Sequence, residues 1–189
     1  MRDLTFLGIS GSLRGSSHNT QLLRAAQKFA PSGVEVEIYD GLREIPPYDL
    51  DQDSEDSWPT PVAELRRRIT EADGLLIATP EFNHSFPGVL KNALDWASTN
   101  WSGKAGKPLE YKPVAVVGAS PSQFGSARGQ LALRQVLYGV HSDLVLTPEV
   151  TVFRSHERFD EAGNLTDEFT IGLLKELLDG LAAKARSTR

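Results

Sequence analysis

Residues 4–20 read LTFLGISGSLRGSSHNT, and this stretch decides the fold. Residues 4–9 are apolar without alternation, the pattern of a strand covered on both faces, and the run stops at Ser10-Gly11-Ser12. A polar loop follows. Leu22, Leu23, Ala25, Ala26 and Phe29 then recur at helical spacing until Pro31 and Gly33 end the pattern. A doubly covered strand feeding a helix through a glycine- and serine-bearing loop is the opening of a parallel sheet, whose strands need crossover connections.

The same unit recurs along the chain. Residues 34–39 (VEVEIY) alternate, which predicts a second strand, half exposed and near a sheet edge. Residues 40–61 carry Pro46, Pro47, Pro59 and Pro61, with five carboxylates from Asp49 to Asp56, and read as a long surface loop with a solvated acidic face. Residues 62–72 have helical periodicity, with Arg66, Arg67 and Arg68 mostly toward solvent, and lead into an apolar strand at 74–79. A helix at 88–98, a strand at 113–118 and a helix at 127–138 follow. Residues 144–146 with 150–152 supply a fifth strand interrupted at Pro148, and an amphipathic helix at 167–185 closes the chain. Alternation of this kind predicts an α/β fold: a doubly wound, five-stranded parallel sheet in three α/β/α layers. A chain of 189 residues fits a single domain over 1–189, since lengths below about 200 residues usually hold one core. Ligands in such sheets bind beyond the carboxyl ends of the strands, so the loops at 10–19, 80–87 and 119–125 are expected to carry the function.

Composition narrows the chemistry. Twenty Lys and Arg against 25 Asp and Glu give a net charge of −5, which argues against nucleic acid or an anionic membrane as partner. With no cysteine there is no disulfide framework, thiolate metal site or thiol nucleophile, and the four histidines lack metal spacing. No apolar run approaches the roughly 20 residues of a membrane span, and Asp3 interrupts any leader-like segment, so a cytoplasmic location is expected.

The first loop combines five hydroxyl side chains (Ser10, Ser12, Ser16, Ser17 and Thr20), Gly11, Gly15 and Arg14 with a helix N-terminus, where free N–H groups and the helix dipole favour an anion. It lacks the P-loop lysine and the GxGxxG spacing, and suits a phosphate monoester better than a triphosphate or a dinucleotide pyrophosphate. A nucleophile elbow fails because position 12 holds Ser where GxSxG needs Gly. Ser17 or Asn19 could instead simply cap the helix. The second loop sets Phe82, Asn83 and Ser85 between Pro80 and Pro87, a stiffened segment suited to presenting amides to a flat polar ring, with Ser85 alternatively a helix cap.

GSLRGSSHNT at 11–20 and TPEFNHSFPGVLKNALDWAS at 79–98, with Ala127-Arg128 and residues 133–137 (LRQVL), resemble the NADPH-dependent FMN reductases, a flavodoxin-like group that includes chromate/quinone reductases and related azoreductases. The resemblance spans essentially the full chain. It implies a noncovalent, tightly bound FMN, with Ser12, Arg14, Ser17 and Asn19 at the phosphate and Ser10, Ser16 and Thr20 beside them. Pro80, Glu81, Phe82 and Asn83 would line the isoalloxazine, with Ser85 in the same loop and Ser120 approaching from the third. Phe82 stands where Tyr is common in the family, so a hydroxyl contact is lost, and Gln123-Phe124-Gly125 replaces a glycine-richer stretch.

In such an enzyme the flavin carries the redox chemistry and the protein orients it, so no catalytic side chain is nominated. The implied reaction is ping-pong: hydride from NADPH or NADH to flavin, then to a quinone, azo compound, metal oxyanion or free flavin. Competing readings are a flavodoxin-type electron carrier without a nicotinamide site, and a phosphate binder without flavin. The family resemblance, the apolar 127–138 helix and aromatics at Trp101 and Phe124 point to a homodimer or homotetramer, with Arg128 and Glu149 as candidate interface residues.

Overall fold

In the computed structural model, which describes residues 3–99 and 103–188, the chain runs β1 (Leu4–Ser10), α1 (His18–Phe29), β2 (Val34–Tyr39), α2 (Thr60–Glu71), β3 (Gly74–Ala78) and α3 (Gly88–Ser98). It continues through β4 (Pro113–Ala119), α4 (Ala127–Gly139), β5 (Asp143–Leu144), β6 (Val150–Val152) and α5 (Glu168–Ser187). Trp101 lies outside the described residues. All strand pairs are parallel, in the order β2-β1-β3-β4-β5, as the strand–helix alternation predicts. The fifth position is shared: β5 pairs Leu144 with Val114, and beyond the interruption at Pro148 β6 pairs Val150 with Val117.

The pleat explains why β1, β3 and β4 are continuously apolar. Phe6, Leu76, Ala78, Ala115 and Val117 point to one face, where α1 and α5 cover them. Leu7, Ile9, Leu75, Ile77, Val114 and Val116 point to the other, against α2, α3 and α4. Neither face meets water, so alternation has no purpose in these strands. β2, on the edge, keeps Glu35 and Glu37 exposed. Because β3 rather than β2 follows β1 on the inner side, the chain reverses its winding between β1 and β3; the loops after these strands leave toward opposite faces and open a crevice.

Two expectations are corrected. Arg66 is not on the solvent side of α2 but buried, donating to the carbonyls of Trp96 (2.6 Å), Thr99 (2.9 Å) and Gly106 (2.8 Å), with its guanidinium 4.0 Å from the Trp58 ring centre. The C-terminal carbonyls of α3 lack helical partners, and a planar guanidinium satisfies several at once. Nor is the acidic loop wholly solvated: Asp53 is buried and accepts from Tyr48 Oη and Trp58 Nε1, both at 2.9 Å. The loop lies over α3, where Asn92 Nδ2 and Trp96 Nε1 each donate to the Pro46 carbonyl at 2.8 Å. Among the described residues no helix is long and apolar enough to cross a membrane.

Candidate functional site

The three loops meet where the strand order predicts. Gly11 N–H donates to Ala78 O (2.8 Å), joining the first loop to the end of β3. Asn19 joins it to β4, its Nδ2 donating to Ala119 O and its Oδ1 accepting from Ala119 N–H, both at 2.9 Å. Within the first loop, Ser17 caps α1 by accepting from the amides of Asn19 (3.2 Å) and Thr20 (3.4 Å), and Thr20 Oγ1 donates to Ser10 Oγ (2.9 Å). Ser10, Ser17, Asn19 and Thr20 therefore hold the loop in shape. Ser12, Arg14 and Ser16 are the side chains it presents outward, and Arg14 has no side-chain partner among the described residues. The amides of Leu13, Gly15, Ser16 and His18 likewise have no acceptor among the described residues. Free amides at a helix N-terminus beside an unpaired guanidinium make an anion cradle.

The second loop is a tight hairpin. Phe82 N–H donates to Ser85 O (2.8 Å) and Ser85 N–H to Phe82 O (3.0 Å), with Asn83 (φ 51°) and His84 (φ 65°) both left-handed between them. The Phe82 ring is exposed. Ser85 does not cap α3, whose cap position is Pro87. Glu81 turns away from the crevice: its carboxylate accepts from Arg128 Nε (2.6 Å) and from the amides of Arg128 (3.0 Å) and Gly129 (3.3 Å) at the start of α4. Burial alone would raise the Glu81 carboxyl; the Arg128 and Gly129 hydrogen bonds and the Arg128 charge outweigh it and hold the group below its ordinary value. Gly129 permits this approach, since a Cβ there would lie 3.0 Å from Pro80 O.

In the third loop Ser120 Oγ donates to Ser122 Oγ (3.0 Å), while Ser120 N–H donates to Val152 O (3.0 Å) and Ser155 N–H to Ser120 O (3.0 Å). The chain after β6 thus lies alongside it. Ser155 in turn shares a 2.6 Å hydrogen bond with His18 Nδ1, and the His18 ring stacks on Phe159 at 5.1 Å. Burial, then the charges of Arg14 and His156, lower the His18 pKa from its ordinary value.

Sequence reasoning missed three parts of this arrangement: the Glu81–Arg128 tie, the His18–Ser155 bond, and Arg43, which donates to Leu13 O (2.8 Å) and pins the first loop. Each joins residues 30 or more positions apart, where no periodicity signals contact. Arg128 and Glu149 each have a partner within the chain, Glu81 and Arg134 respectively.

Comparison with known proteins agrees with the geometry. The family model described as NADPH-dependent FMN reductase matches residues 4–157. The chain is 40% identical to an NAD(P)H-dependent FMN reductase of Pseudomonas aeruginosa, over 99% of this chain and 98% of that one. It is 36% identical to a quinone reductase of Escherichia coli over 89% and 88%. Among solved structures, FerB, a flavoenzyme NAD(P)H:(acceptor) oxidoreductase from Paracoccus denitrificans, superposes with a TM-score of 0.85 at 32% identity, covering 97% of this chain and 98% of its own.

Proposed function

The chain belongs to the NADPH-dependent FMN reductase family, and from that premise we propose that it is an FMN-dependent oxidoreductase acting as a single domain over residues 1–189. It takes hydride from NADPH or NADH and passes it by a ping-pong route to a small acceptor: a quinone, an azo compound, a metal oxyanion or free flavin. The observation that carries this reading is the first loop, whose unpartnered amides and Arg14 fit a phosphate dianion at the end of the β1–β3 crevice.

Ser12, Arg14, Ser16 and the amides of Gly15, Ser16 and His18 would hold the FMN phosphate. The Ser17 hydroxyl, which accepts two amides, still has a proton to donate. Pro80 to Asn83 would flank the isoalloxazine, with the exposed Phe82 ring available for packing. When bound, FMN supplies reversible two-electron hydride chemistry. The protein's part is to fix that ring: Glu81 and Arg128 lock the second loop to α4, and Asn19 locks the first to β4. Tight noncovalent FMN binding, a cytoplasmic location and a homodimer or homotetramer complete the proposal. Exposed Phe82, Phe124, Leu131 and Tyr138, on α4 and the loops beside it, support association.

Steady-state kinetics with NADPH and a benzoquinone test the route. Parallel double-reciprocal lines are expected; intersecting lines contradict ping-pong transfer, and absence of turnover favours an electron carrier.

A further inference from the structure

His84 sits exposed at the tip of the second-loop hairpin with φ 65°, and the two backbone hydrogen bonds between Phe82 and Ser85 close the turn beneath it. Its Nε2 lies 3.2 Å from Nη1 of Arg128. A guanidinium has donors and no acceptor, so this bond runs one way only: Arg128 donates and Nε2 accepts. An imidazole whose Nε2 accepts carries its proton on Nδ1. Among the described residues that Nδ1–H has no acceptor, so the side chain presents one unused N–H at the loop tip.

Arg128 is itself fixed. Glu81 accepts from its Nε (2.6 Å) and pairs with its Nη2 (2.5 Å), and its guanidinium lies 4.2 Å from the ring centre of Phe124 in the third loop. Phe82 and Phe124 are both exposed. Two aromatic rings, a guanidinium and a histidine donor thus form one rim from the second loop to the third, adjoining residues 80–83. The Glu81 carboxylate cancels the Arg128 charge, so the rim offers a hydrogen bond without net charge. That chemistry suits an uncharged flat molecule with a carbonyl oxygen: the rings pack on its apolar surface and the Nδ1–H meets the oxygen.

We propose that His84 selects the acceptor, its Nδ1–H donating to a carbonyl oxygen of that molecule, with Arg128 the positioning residue that fixes the tautomer. The inference rests on the proposal above that hydride passes from a nicotinamide nucleotide to a small acceptor. Hydride delivered to a quinone brings both electrons and one hydrogen; it leaves negative charge on an oxygen, which then takes a proton from water to give the hydroquinone. A preorganised N–H at that oxygen strengthens as the charge develops, so it speeds the step without giving up its own proton. An acceptor that takes single electrons and no hydrogen, such as ferricyanide, gains nothing from it.

Long-range proton–nitrogen correlation NMR of the holoenzyme at alkaline pH reads the tautomer without turnover, with the His84 signals assigned by their loss in His84→Gly. A protonated Nδ1 and a bare Nε2 are expected; the opposite tautomer overturns the proposal. Glycine is chosen because it keeps the left-handed backbone free of strain, and asparagine, which tolerates the same backbone, restores a side-chain N–H near the position of Nδ1. Stopped-flow reoxidation of the NADPH-reduced enzyme then separates the acceptors. His84→Gly is expected to slow reoxidation by duroquinone about tenfold, the scale of one hydrogen bond to developing charge, while the ferricyanide rate changes by less than about twofold; His84→Asn recovers part of the loss. Equal slowing with both acceptors means a merely structural role, and no slowing with duroquinone means an idle side chain; either overturns the assignment. A wild-type protein that NADPH fails to reduce refutes the underlying function, and the acceptor role with it. That failure is told apart from the others because it arises before any acceptor is added.

Discussion

Arg14 and Ser17 share one loop and have different tasks. The Arg14 side chain is exposed and unpartnered among the described residues, so its removal leaves the local hydrogen bonds intact. Arg14→Ala is expected to fold normally and to raise the FMN dissociation constant about tenfold or more, the scale of one charge-assisted contact. Flavin content unchanged after dialysis contradicts the phosphate assignment. Ser17, by contrast, caps α1 through two amides. Losing such a cap costs about 1 kcal/mol, and Ser17→Ala should lower the Tm of the apoprotein by about 2–4 °C at this chain length, with a smaller loss of flavin than Arg14→Ala. A Tm equal to wild type contradicts the capping role. At this scale the sequence was legible in kind and ambiguous in direction. Ser and Asn near a helix start serve as caps or as ligands with the same spelling, and nothing local announces that Asn19 bonds to Ala119, 100 positions away.

Elements were more legible than their side-chain partners. β1, β3 and β4 stand out as apolar runs because both faces of the inner sheet are covered, and β2 as an alternating edge because one face is not. The break at Pro148 was visible too, since proline cannot donate to a ladder, and it divides the fifth position into β5 and β6. Arg66 was misread because a charged residue within a run of three arginines suggests water, whereas the carbonyls that bury it belong to α3 and the segment beyond. The Glu81–Arg128 tie between the second loop and α4 was hidden for the same reason. It carries a pH signature. The Glu81 carboxyl is depressed in the folded chain, so its contribution is full above the ordinary value of 4.5 and is lost as pH falls through the lower folded value. Wild-type stability should therefore decline on acidification partly through this group. Glu81→Gln, which does not titrate, should be less stable near neutrality and show a shallower acid slope in melting curves taken between about pH 3 and 7. Identical slopes for the two proteins contradict the assignment.

Over the whole molecule, charge and composition acquire a sharper meaning. The net charge of −5 is unevenly distributed: the acidic excess coexists with a cluster of arginines (Arg14, Arg24 and Arg43) around the first loop, where the proposed FMN phosphate binds. The absence of cysteine leaves no thiol to carry electrons, which fits a protein whose redox chemistry belongs to a bound flavin. The family match ends at residue 157, yet α5 lies beyond it and contributes Ile171, Leu174, Leu177, Leu178 and Leu181 to the core on the α1 side. The fold that presents the site is therefore completed by a helix outside the matched residues. The most direct test is the visible absorption spectrum of the purified protein before and after anaerobic addition of NADPH. The account predicts the bands of oxidised flavin, stoichiometric with the chain, bleached by an equivalent of NADPH; a colourless protein that takes up no FMN, or a bound flavin that NADPH leaves oxidised, would contradict it.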